Sequence, residues 1–172
     1  PNTPGLRNLQ EKGNIEKLLI ELSKIKKRKP TLLKLSPDIS KKNLENICNL
    51  IMKDNVIEGL IMTNTTVSRK ELLTRPIKNS WKVMEDGGLS GPPLKNKTNA
   101  LIKDVYKFTY GKKPIIGVGG ISNGRDAFEK ISLGASLLQL YTSLIYKGPG
   151  IVFNILSELS VLLEKKGLKN VG

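Results

Sequence analysis

The stretch PIIGVGGISNGRDA, Pro114–Ala127, decides how this chain is read. An apolar run enters it, Gly117, Gly119, Gly120 and Gly124 interrupt it, and a polar helix start follows. Glycines spaced so closely let a backbone approach a ligand, and phosphate is the commonest such guest. Spacing tests two familiar fingerprints. The dinucleotide pattern Gly-x-Gly-x-x-Gly finds its first two glycines at Gly117 and Gly119, but Ser122 holds the third place. The P-loop spacing runs from Gly119 to Gly124, where Arg125 and Asp126 stand in place of the phosphate lysine and the magnesium hydroxyl. Both fail. A strand, a glycine turn and a helix start remain, which suit a mononucleotide phosphate.

Outward from this stretch, short apolar strands alternate with amphipathic helices. NIEKLLIELSKI sets Ile15, Leu18, Leu19, Leu22 and Ile25 on one helical face. TLLKLS, Thr31–Ser36, reads as a strand closed by Pro37 and Asp38, and Leu44, Ile47, Cys48 and Ile51 mark a second helix. GLIMTNT, Gly59–Thr65, is the second strand. TNALIKDVYKFTYG predicts a helix ending near Gly111, PIIGVGG the third strand, and NGRDAFEKISLG a short helix stopped at Gly134. SLLQLYTSLI is the expected fourth strand, and Val152, Ile155, Leu156, Leu159, Leu162 and Leu163 form a last helical stripe ending at Gly167.

Strand–helix units in succession argue for a parallel sheet with right-handed crossovers. Four such units make half of an eight-unit (β/α) barrel, with an open doubly wound sheet as the rival. Strand alternation favours the barrel. Leu32, Lys34 and Ser36 oppose Leu33 and Leu35, while Gly59, Ile61 and Thr63 oppose Leu60 and Met62. A face with Lys, Ser and Thr near its strand ends suits a barrel mouth, and Leu32, Ile61, Ile115 and Leu137 are assigned to the interior. The long aperiodic stretch from Thr66 to Leu94, with GGLSGPP in it, follows a strand's C-terminal end, where barrel enzymes build their sites.

Composition narrows the function. The chain has 172 residues, 38% of them hydrophobic, enough for one domain with an aliphatic core. No apolar run approaches the roughly 20 residues a membrane helix needs, and no signal peptide opens the chain. The start PNTPGLR, without Met, points to a longer parent. The formal charge of +14 invites a nucleic-acid partner. The lysines are scattered, however, with a single run at KIKKRK (24–29) and no interleaved aromatics, so a solvated basic surface is the better reading. The single cysteine, Cys48, falls on an apolar stripe and reads as core. There is no histidine, which removes the commonest general base and the commonest metal ligand, so no metal site is expected.

Several residues fall where chemistry would be placed. Lys34 is out of character in a strand: it either snorkels to solvent or sets a positive charge beside an anionic ligand. Thr63, Asn64 and Thr65 offer hydroxyls and an amide at the second strand's end. GLSG, Gly88–Gly91, and GVGG, Gly117–Gly120, are turns able to present N–H groups, and LYT, Leu140–Thr142, adds a backbone and a hydroxyl. Each alone has a structural explanation. Together they follow strands on one barrel rim, with the glycine turns late in the order, where barrels bind phosphate.

The blocks PNTPGLRNLQ, TLLKLSPD, GLIMTNTTVSR, GGLSGPPL, PIIGVGGISNGRDA and GASLLQLYTSLIYKGP resemble, in order and end to end, the class 2, quinone-linked dihydroorotate dehydrogenases. The resemblance implies the C-terminal half of an FMN-binding (β/α)8 barrel across residues 1–172. It implies oxidation of dihydroorotate to orotate in pyrimidine synthesis, with ubiquinone reoxidising the flavin. By the same resemblance Lys34 and Thr63 contact FMN, while Ser90, Gly91, Gly119, Gly120, Tyr141 and Thr142 hold its phosphate end. Asn2, Asn64 and Thr65 bind orotate. The family's base is a serine just ahead of the position of Pro1. Membrane association would come from an N-terminal region ahead of this chain, at the mitochondrial inner membrane in a eukaryote. Pro92 and Asn96 depart from the basic and acidic residues usual in the family's GLSG block. A tRNA-dihydrouridine synthase, another FMN barrel, and a non-catalytic half-barrel are the alternatives.

Overall fold

Alternate leucines in TLLKLS separate the two faces of the first strand, and a computed structural model carries that separation into three dimensions. It describes residues 9–10, 12–25, 29–73 and 87–171. Asn2, the PNTPGLR block and the middle of KIKKRK lie outside the described residues. In chain order the elements are α1 (Lys12–Ser23), β1 (Leu32–Leu35), α2 (Lys41–Lys53), β2 (Gly59–Met62) and α3 (Lys70–Leu73). A 3-10 turn (Pro92–Leu94) leads into α4 (Lys95–Phe108), followed by β3 (Ile115–Val118), α5 (Gly124–Ser132), β4 (Leu137–Gln139), α6 (Thr142–Lys147) and α7 (Ile151–Lys165).

The four strands are parallel and lie in the order β1-β2-β3-β4. A doubly wound sheet reverses its strand order at a switch point. No reversal occurs among the described strands, which follow one another as in a barrel. Register aligns Lys34 with Ile61, Ile61 with Ile116, and Ile116 with Leu137, and pairs Val118 with Gln139. These residues share one face. Leu35, Leu60, Met62 and Ile115 occupy the other, packed with Leu44, Ile47, Cys48 and Ile51 of α2 and with Ile102 and Val105 of α4. Each fully buried aliphatic side chain there contributes about 1.5–3 kcal/mol. Cys48 belongs to this core, and burial pushes its thiol up to about 12.

Three expectations need correction. Ile115 does not face the interior; it is fully buried against the helices, and Ile116 takes the inward place. PIIGV is apolar on both sides, so alternation carries no parity there and pairing with β2 decides it. The fourth strand ends at Gln139, and Thr142–Lys147 is helical. Leu144 packs with Ile121, Ala127, Ile151 and Ile155 in a second cluster, and that packing overrides the strand preference of the Tyr141–Thr142 pair. Gly117 serves packing rather than the turn: a Cβ there would meet Ala135, Ile102 and Leu138 side chains at 3.2 Å.

Helix starts follow their capping residues. Ser40 Oγ accepts from the Asn43 N–H at 3.2 Å at the head of α2, and Asn123 Oδ1 accepts from the Asp126 N–H at 2.8 Å at the head of α5. Gly124, within that start, lets α5 close on α7. A Cβ there would lie 2.4 Å from Glu158 Cβ, and Glu158 Oε2 accepts the Gly124 N–H at 2.6 Å.

Candidate active site

Parallel strands end together, so the loops that leave them gather at one rim. A cleft of about 680 Å³ opens there. Lys34 of β1, Thr63, Asn64 and Thr65 after β2, Gly119 and Gly120 after β3, and Tyr141 and Thr142 after β4 all line it. Ser90 and Gly91, from the loop that returns after β2, close another side. Every sequence-expected site residue among the described residues is thus brought to one cavity.

Local hydrogen bonds fix these groups. The Asn64 N–H donates to Leu35 O at 2.8 Å, tying the end of β2 to the end of β1. Thr63 is buried and donates its hydroxyl to Asn64 O at 2.8 Å. Asn64 Oδ1 accepts the Thr65 N–H at 2.9 Å, which leaves its Nδ2 hydrogens for a ligand acceptor. Gly88 packs directly on Thr65, and Thr142 Oγ1 donates to Ser90 Oγ at 2.9 Å, so the returning loop is joined to the strand ends on two sides.

The glycines form the cradle. Gly91, Gly119 and Gly120 have φ of 82°, 110° and 69°, a region that disfavours any Cβ. A Cβ on Gly120 would also sit 2.7 Å from the backbone of Lys95, at the head of α4. Among the described lining residues Lys34 and Lys147 are the cations and no carboxylate appears. Backbone N–H groups, hydroxyls and an unopposed positive field suit an anionic ligand, phosphate included.

Sequence reasoning missed two supports of this rim. Asp38, after β1, accepts from Thr66 Oγ1, from the Val67 N–H at 2.9 Å and from Lys97 Nζ at 2.6 Å. Burial alone would raise its carboxyl, but Lys97, Thr66 and Val67 outweigh burial and hold it at about 2. Thr66 in turn bridges to Leu89 in antiparallel fashion, and Arg69 donates to Gly87 O at 2.9 Å. The second support lies behind the Gly119–Gly120 turn. Lys95 pairs with Asp126 at 2.7 Å and Glu129 at 3.0 Å, and these bonds raise its ammonium above the ordinary lysine value. Asp126 also accepts from Ser122 N–H and Oγ at 2.9 and 2.8 Å; burial opposes its ionisation, but Lys95 and Ser122 prevail and lower its carboxyl. Lys130 is fully buried beside them, and burial brings its ammonium down to about 8. Nothing in the sequence of α5 marks Lys130: the face it shares with Ala127 also carries Asp126, and its hydrogen-bond partners Thr98 and Asn99 belong to α4.

A parallel (β/α) succession with its ligand groups on the C-terminal rim defines a barrel-enzyme scaffold. Comparison with known proteins narrows that class. The family model for dihydroorotate dehydrogenase matches residues 1–163, and the chain belongs to that family. It is 45% identical over 99% of its length to a dihydroorotate dehydrogenase (quinone) of Trichodesmium erythraeum, covering 46% of that protein. It is 42% identical over 99% of its length to the mitochondrial dihydroorotate dehydrogenase (quinone) of Mus musculus, covering 43% of it. The crystal structure of the Eimeria tenella enzyme in complex with ferulenol superposes with a TM-score of 0.87 at 34% identity, over 99% of this chain and 50% of that one. The chain therefore spans about half the length of the relatives it matches, and the barrel reading prevails over the doubly wound one.

Proposed function

We propose that the cleft holds FMN and that the whole protein oxidises dihydroorotate to orotate in pyrimidine synthesis, with a quinone as final electron acceptor. The observation that carries this reading is the convergence of Lys34, Asn64, Ser90, Gly91 and the Gly119–Gly120 turn on one cavity with no carboxylate among its described lining residues, in a chain of this family. The residues suit FMN. A glycine cradle that a Cβ would fill supplies N–H groups for a phosphate, and Ser90, Tyr141 and Thr142 add hydroxyls.

Bound FMN supplies a hydride acceptor that can pass electrons onward. The chain's own residues bind and orient. Lys34 sets a cation at the wall of the cleft, where with Thr63 it would hold the flavin ring system and favour an anionic form of it. Asn64 and Thr65 meet the polar edge of orotate, with Asn2 as a further contact. Ser90, Gly91, Gly119, Gly120, Tyr141 and Thr142 hold the phosphate end. No carboxylate lines the cleft among the described residues and the chain has no histidine, so the proton passes to a base other than these. The family resemblance makes that base a serine ahead of Pro1. Association with the membrane that carries the quinone, the mitochondrial inner membrane in a eukaryote, follows from the same resemblance.

The test is anaerobic mixing of the purified whole protein with dihydroorotate. Bleaching of bound flavin, with orotate appearing on addition of a short-chain quinone, is the expected result. A protein that carries no flavin, or a flavin that dihydroorotate leaves oxidised, would overturn the proposal.

A further inference from the structure

Behind the Gly119–Gly120 turn stands a polar cluster none of whose main members lines the cleft. Lys130 Nζ donates to Thr98 Oγ1 at 2.6 Å and to Asn99 Oδ1 at 2.7 Å. Thr98 is itself fully buried in α4. With Lys130 occupying a lone pair of Oγ1, the Thr98 hydroxyl proton is free for a carbonyl. Two are within reach: Lys95 O, in its own helix, at 3.0 Å, and Gly119 O at 3.4 Å. The one proton is shared between them as a three-centre bond, with the Gly119 branch the longer.

That contact sets a direction. The Gly119–Gly120 peptide is trans, so its C=O and its N–H point opposite ways across one plane. With the Gly119 carbonyl turned onto α4, the Gly120 N–H is turned away from α4, and both glycines line the cleft. We propose that Lys130 is a positioning residue: acting through Thr98, it holds the Gly119 carbonyl against α4 and so keeps the Gly120 N–H aimed at a phosphate in the cleft. Direct charge attraction is not its means. Lys95 and Lys130 stand against Asp126 and Glu129, so the cluster is electrically balanced and what it gives the turn is orientation.

The inference rests on the FMN reading above, and riboflavin, which lacks the phosphate, separates the two. The experiment measures FMN and riboflavin affinity of the whole apoprotein as wild type, Lys130→Met and Thr98→Val. Wild type should bind FMN more tightly than riboflavin. Each variant should lose about tenfold in FMN affinity, the worth of one hydrogen bond, while riboflavin affinity stays within about twofold. The double variant should lose no more than either single one, because both act through one link. Equal weakening of both ligands, or weakening of neither, overturns the positioning role. Should Lys130→Met fail to fold, Thr98→Val, which keeps the side chain's shape, decides by the same ratio. Absence of FMN binding by the wild type overturns the FMN reading and this inference with it.

Discussion

Asn64 carries a definite expectation at the scale of single residues. Its Oδ1 is engaged by the Thr65 N–H, so its Nδ2 is the group offered to a ligand. Removing that donor leaves a buried acceptor on the ligand unpaired, at a cost of roughly 1–3 kcal/mol. Asn64→Ala in the whole protein should therefore weaken orotate binding by about ten- to a hundredfold in a flavin-absorbance titration, and unchanged affinity would remove Asn64 from the substrate site. Lys130 gives a second expectation. The unfolded chain keeps its proton up to 10.5, whereas the folded chain releases it near 8. Between those values unfolding takes up a proton, so folded stability rises with pH, by at most about 1.4 kcal/mol per pH unit. Thermal unfolding from pH 8 to 10 should show the wild type gaining on Lys130→Met; a constant difference would mean that Lys130 does not titrate there. Lys130 and its partner Thr98 escaped sequence reading because α5 and α4 meet only in three dimensions. The rim positions of Lys34 and Asn64 were legible because Lys34 stands next to the last residue of β1 and Asn64 follows shortly after β2.

At the scale of elements, side chains from neighbouring elements reinforce the backbone pairing that holds the rim. Asp38, after β1, joins Thr66 and Val67, after β2, to Lys97 of α4. Asp38→Ala should release this junction. Amide exchange at Thr66 and Val67 would then speed up while the amides of α2 keep their protection; unaltered exchange at Val67 would show that Thr66 and Leu89 hold the loop without the carboxylate. Helices with a clear polar face were the most legible elements, as α2 shows: Leu44, Ile47, Cys48 and Ile51 are all fully buried. Strands that are apolar throughout were the least legible. Ile115 was assigned to the wrong face because its neighbour Ile116 is equally apolar, and β4 was read too long because α6 is fixed by packing against its neighbours.

For the molecule as a whole, the succession of parallel strands was legible from the alternation of short apolar runs with amphipathic helices. Its barrel-like order was legible from the polar ends of one strand face. The described sheet is open, with β1 and β4 at its edges. On its inner face Leu32 is 38% and Leu137 63% exposed. Unpaired edges and an uncovered apolar face favour association. Residues 1–172 expressed alone should therefore self-associate and retain little FMN; sedimentation as a monodisperse monomer with stoichiometric FMN would contradict this.

The central claim is that the cleft at the strand ends is the flavin site. The measurement that tests it most directly is a structure of the whole protein with FMN and orotate bound. The account predicts the flavin phosphate within hydrogen-bond distance of the Gly120 N–H, Lys34 against the ring system, and orotate on the Asn64 amide. A phosphate bound elsewhere, with the Gly119–Gly120 turn facing solvent, would contradict it.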